Sequence, residues 1–99
     1  MTVADLQVEL EETDSKGRYV YRAPGGEEAE ITFSRVSPTR IIVDHTGVPE
    51  SMRGQGIGEA LAAQVVEDAR GKGIAIIPLC PFFKAMAQRH DDWQDVVEL

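Results

Sequence analysis

The chain has 99 residues, room for one domain over 1–99 and not for a second. Its 17 acidic and 10 basic residues leave a net charge of −7, which repels nucleic acid phosphates and excludes general DNA or RNA binding. The single cysteine, Cys80, excludes an internal disulfide and a zinc site of the cysteine-cluster kind, and no apolar run approaches the roughly 18 residues needed to cross a bilayer.

The N-terminus Met1-Thr2-Val3-Ala4-Asp5 carries no basic region or signal-like apolar stretch, so a cytoplasmic chain without a membrane segment is expected. Leu6, Val8 and Leu10 then alternate with Gln7, Glu9 and Glu11, the period of a strand with one buried face. Asp14-Ser15-Lys16-Gly17 reads as a turn. Tyr19 and Tyr21 alternate with Val20 in a second strand. After Pro24-Gly25-Gly26, a third strand sets Ala29, Ile31 and Phe33 against Glu30, Thr32 and Ser34, and Val36-Ser37-Pro38 breaks it. Arg40 to His45 is a fourth, more fully apolar strand, expected at a central place. These short spacings favour an antiparallel meander.

The period then changes. From Gln55 onward Ile57, Leu61, Val65 and Ala69 recur every four residues, with Ala62 and Val66 beside them, which is one buried helical face. Gly71-Lys72-Gly73 stops that helix. Ile74 to Ile77 is a short apolar strand, also expected to be central. Pro81 opens a last helix carrying Phe82, Phe83, Met86 and Ala87. Trp93, Val96 and Val97 mark a tail that packs back. The fold class is α+β (mixed α/β): a strand meander leading into a β-α-β-α unit with a parallel strand pair.

Arg53-Gly54-Gln55-Gly56-Ile57-Gly58, set at the start of the long helix, carries the chemistry. Each glycine there costs roughly 1 kcal/mol against alanine, so the backbone must approach something closely. Bare N–H groups at a helix N-terminus favour phosphate. A nucleotide P-loop is excluded because Glu59 and Ala60 stand where lysine and a hydroxyl are needed, and the dinucleotide fingerprint because the glycine spacing differs.

Arg53, Gly56 and Gly58 match Arg-x-x-Gly-x-Gly. With His45-Thr46-Gly47-Val48-Pro49 before them and Pro78-Leu79-Cys80-Pro81-Phe82 after the next strand, the chain resembles the small, single-domain branch of the Gcn5-related N-acetyltransferase superfamily. The resemblance implies a minimal acetyltransferase fold whose central parallel strands splay to admit the pantetheine arm of acetyl-coenzyme A. It implies that the amides of Gly54, Gln55, Gly56, Ile57, Gly58 and Glu59 hold the pyrophosphate, that Arg53 pairs with a phosphate, and that the Val48 N–H meets the thioester carbonyl. The acceptor is then an amine, on a small molecule such as a polyamine or on a protein lysine, which the acidic surface attracts. Direct attack is one route. Cys80 as nucleophile, activated by His45 at the end of the neighbouring strand, is the other. Glu50 lies near the loop and reads as solvated, and His90 as a cap or surface residue. A full-size member carries further helices after its first strand that line the acceptor site, and a turn stands here instead. A monomer or weak homodimer fits that open site. The rival readings are a non-catalytic module that binds or senses coenzyme A, and an adaptor with no cofactor.

Overall fold

A computed structural model describes residues 7–99, so Leu6 of the first predicted strand lies outside them. Five strands form one sheet in the order β1-β2-β3-β4-β5: β1 Val8–Glu12, β2 Lys16–Arg22, β3 Glu28–Ser37, β4 Arg40–Gly47 and β5 Ala75–Pro78. The first three pairings are antiparallel and β4 pairs with β5 in parallel. Helix α1, Ile57–Lys72, connects those two strands, and α2, Pro81–Arg89, follows β5. The mixed α+β architecture is the expected one.

Local chemistry explains the element ends. Thr13 N–H donates to Lys16 O at 2.7 Å, which closes the first hairpin early and puts Lys16 and Gly17 in β2 rather than in the turn. Gly17 faces Phe33, and a Cβ there would stand 2.5 Å from the ring, so only glycine lets that ring cross the strand. Helix α1 ends on Gly73, whose φ of 68° is the left-handed conformation that glycine takes without strain. Gly71 and Lys72 stay inside the helix. Pro81 takes the first position of α2, where its missing N–H has no partner to lose.

Both helices pack on the face carrying Tyr19, Ile31, Phe33, Ile41 and Val43. Every apolar residue assigned to the buried stripe of α1 is buried there. The Tyr19 hydroxyl donates to Asp68 Oδ2 at 2.9 Å and fastens α1 to β2. Burial, reinforced by that carboxylate, pushes the Tyr19 phenol far above its ordinary range, so it stays a neutral donor. Strand β5 is the last strand of the sheet, not a central one. Its outer edge is covered by the tail: Ile76 N–H donates to Val96 O, Glu98 N–H donates to Ile76 O, and Ile76 bridges Val97.

The opposite face of the sheet is a lattice of charge. Arg18 pairs with Glu11, Glu28 and Glu30, and Arg22 with Glu9, Glu11 and Glu28. These guanidinium stems lie over Val20, which is fully buried although it points away from the core. Hydrogen bonds, from Arg22 first and Arg18 next, hold Glu11 below its ordinary value of 4.5, and Arg22 likewise lowers Glu28. A carboxylate lowered in the folded state stabilises the fold above its unfolded value, and that contribution disappears as pH falls through the folded value. Arg22→Gln is therefore expected to lower the melting temperature at neutral pH, with the gap from the unaltered protein closing as pH drops through the glutamate range. Thermal melts across that range check it, and a gap that stays constant with pH would contradict it.

Candidate cofactor cleft

Strands β4 and β5 stay paired only from Arg40↔Ala75 to Val43↔Pro78. The N–H groups of Leu79 and Cys80 then both donate to Val43 O, at 3.0 and 2.9 Å, and the chain turns away into α2. Strand β4 runs on through Asp44, His45, Thr46 and Gly47 with no β5 partner. The parallel pair thus opens at the C-terminal end of β4, where open α/β sheets take their ligands.

Beyond Val48 a 3-10 turn, Glu50–Met52, leads into the glycine loop, and Met52 is buried as its anchor. The three glycines do different work. Gly54 and Gly56 have φ of 80° and 76°, which turn the chain sharply into α1. Gly56 is the N-cap and offers no side-chain hydrogen bond to the first turn, so the early N–H groups of a 16-residue helix lack that partner. Gly58 lies under Phe82: a Cβ there would stand 2.9 Å from Phe82 Cζ and 3.4 Å from Val48 Cγ2. Sequence reasoning took all three as backbone bared for phosphate, whereas Gly58 is also the seat of an aromatic ring.

These parts enclose a cleft of about 310 Å³ lined by Thr46, Val48, Met52, Arg53, Gly54, Gly56, Ile57, Gly58 and Phe82. Arg53 is exposed, with Nε 3.5 Å from Val48 O. Gln55 sends its side-chain amide to Ser51 O at 3.1 Å. The Glu59 carboxylate faces His90, Oε1 to Nε2 3.4 Å, while the His90 ring stacks on Trp93 at 4.1 Å. Glu50 is exposed and His90 caps the end of α2, as expected of both. Phe83 is fully buried, whereas Phe82 walls the cleft.

Cys80 and His45 are not brought together. Cys80 is buried at the N-cap of α2, and its sulfur lies 3.4 Å from the Thr46 hydroxyl. His45 is exposed on the opposite face. The cause is a bulge: Phe33 pairs with Val43 but Thr32 pairs with His45, leaving Asp44 as the extra residue. Simple alternation from Ile41 and Val43 puts residue 45 on the helix-covered side, and the inserted residue reverses that. Thr46 takes the inward position instead. The only sequence signal for it was its place one residue after an apparent strand end.

The five-stranded mixed sheet, with its glycine loop feeding a helix N-terminus beside the opened parallel pair, is a GCN5-like fold. Residues 18–96 match the GCN5-related N-acetyl-transferase family, and the chain belongs to that family. It is also similar to the solution structure of a GCN5-like protein from Staphylococcus aureus, at 36% identity over 91% of this chain and 87% of that one, with a TM-score of 0.70. No curated protein matches the chain.

Proposed function

We propose that the chain is a single-domain N-acetyltransferase that takes acetyl-coenzyme A in the cleft and passes the acetyl group to an amine. The observation that carries this reading is the N-terminus of α1, uncapped by any side chain, opening onto a cleft bordered by an unpaired length of β4. The residues fit the cofactor. The amides from Gly54 to Glu59 suit a diphosphate, and Arg53 is exposed beside them to add a charge-assisted bond. The edge from Asp44 to Gly47 offers main-chain groups to an extended pantetheine arm, as to an added strand.

Bound acetyl-coenzyme A supplies an acyl group activated as a thioester. The Val48 N–H is the donor for its carbonyl oxygen, where negative charge grows, and one such donor contributes about 3 kcal/mol in a site closed to water. Direct attack by the amine is favoured over a route through Cys80. The thiol is buried beside a threonine, and the imidazole that was to activate it lies across the sheet.

The test is a thermal-shift and turnover pair. Coenzyme A at one hundred times its dissociation constant is expected to stabilise the fold by about 2.7 kcal/mol, with ATP and NAD ineffective. Titration should move the amide resonances of residues 54–59, and adding an amine acceptor should release free coenzyme A from the acetylated cofactor. Stabilisation without release in a screen of amines and peptides would identify a binding or sensing module. No stabilisation at all would leave only an adaptor.

A further inference from the structure

A stack of aromatic rings runs from the core to the surface at the end of α2. Phe83 is fully buried and stacks on Trp93 at 6.2 Å, and Trp93 stacks on His90 at 4.1 Å with the planes 10° apart. The stack fixes the plane of the imidazole, and with it the direction of both nitrogens. Nε2 stands 3.4 Å from Glu59 Oε1 on α1, and Nδ1 stands 3.9 Å from Asp92 Oδ1 in the 3-10 turn Asp91–Trp93. Arg89 and Asp91 flank His90 in the chain. Glu59 is the acidic residue in the first turn of α1, three residues after the N-cap Gly56. A glutamate at that position ordinarily folds back to accept from the N-cap N–H and so closes a capping box. Here its carboxylate faces His90 instead. The amides it would cover are the ones that suit a diphosphate, so a carboxylate free to return to them is a competitor.

We infer, resting on the acetyltransferase reading, that His90 is a positioning residue for the cofactor: its protonated ring draws Glu59 aside and leaves the α1 N-terminus to the diphosphate of coenzyme A. Imidazole loses its charge as pH rises through the neutral range. The neutral ring has no charge with which to hold the carboxylate. Glu59 then swings toward the helix N-terminus, where the dipole favours it, and opposes the anion that binds there. Affinity for the cofactor is therefore high below the imidazole range and falls above it. The expected change in the dissociation constant is about two- to fivefold, the factor that a carboxylate in the field of a helix N-terminus represents. Glu59 thus acts as a built-in competitor, and the ring that restrains it is set by a stack reaching back to Phe83 in the core.

The experiment titrates the intact chain with 3′-dephospho-coenzyme A by calorimetry across the imidazole range. This probe keeps the diphosphate and lacks the terminal phosphate, whose own ionisation falls close to that range. The unaltered protein should bind more weakly on the alkaline side, by the factor given above. His90→Phe keeps a ring on Trp93 without the charge and should bind weakly at every pH. His90→Arg, a planar cation that also stacks on an indole, should bind tightly at every pH. Glu59→Ala removes the competitor. It too should bind tightly throughout, and adding His90→Phe to it should cost nothing further. In the ligand-free protein the Gly56 amide resonance should move as pH rises through the same range, and should stay at its alkaline position in His90→Phe. A merely structural His90 would weaken binding in His90→Phe equally with and without Glu59, and the affinity–pH curves would run parallel. That result overturns the proposal, as does a Gly56 signal indifferent to pH. Absence of binding at every pH while the Gly56 signal still moves is a different result. It overturns the acetyltransferase reading itself, and the effect on affinity falls with it.

Discussion

Replacing Gly56 with valine is expected to raise the dissociation constant for coenzyme A at least tenfold, about 1.4 kcal/mol, and to remove about 1–3 kcal/mol of stability. The residue has φ 76° and ψ 13° and is the N-cap of α1. An L side chain in that region brings its Cβ against the following carbonyl, and branching at Cβ makes it worse. The chain then relaxes by rotating the peptide that enters the helix, and the first-turn N–H groups lose their common aim. Gly73→Val is the control. Gly73 stands at the other end of the same helix with φ 68° and open space around its missing side chain. It should lose comparable stability and leave coenzyme A binding intact. Melting curves without ligand read the strain, and calorimetry well below both melting points reads the affinity. Equal loss of binding in the two variants would mean that only helix stability matters, and that the loop's aim does not.

What the sequence made legible was local. Helix α1 is bounded by two left-handed glycines, and the four-residue recurrence of Ile57, Leu61, Val65 and Ala69 marks its buried stripe. Pro81 marks the start of α2 in the same direct way. These signals depend on residues within a turn or two of each other, and they survive without any knowledge of tertiary neighbours.

The rest depended on register and on distant partners. A continuous apolar run such as Ile74 to Ile77 says that both sides are covered, but not by what. Here the tail at Val96 and Val97 does what a sixth strand would, so an edge strand reads as a central one. Alternation sends Val20 outward, correctly, yet it is fully buried because arginines two residues either side of it are tethered by glutamates from β1 and β3. In the cleft, the glycine loop was legible as a unit because three glycines in five residues have few explanations. The partner of Cys80 was not, since the one-residue bulge at Asp44 exchanges His45 for Thr46 and no composition rule foretells where a strand gains a residue.

The adjacent phenylalanines of α2 give the largest expected effect on stability. Phe83→Ala should cost about 3–5 kcal/mol, a large part of the roughly 5–15 kcal/mol that holds a domain together. Phe83 is fully buried, and its ring stacks on Trp93 at 6.2 Å. It joins α2 both to the core and to the segment leading into the tail that closes β5. Removing it leaves a cavity that β5, pinned between β4 and the tail, is poorly placed to fill, so the upper end of the range applies. The melting temperature should fall by about 12 °C or more. Phe82→Ala, one residue earlier, removes a ring that is 38% exposed and lies over Gly58. It should cost far less stability and instead loosen the wall of the cleft, weakening coenzyme A binding. Urea unfolding of both variants, with ligand titration of the second, separates the two roles. A Phe83→Ala midpoint close to that of the unaltered protein would mean that α2 is held by its N-terminal contacts with α1 and β4 alone, and that the tail closes β5 without help from the aromatic stack.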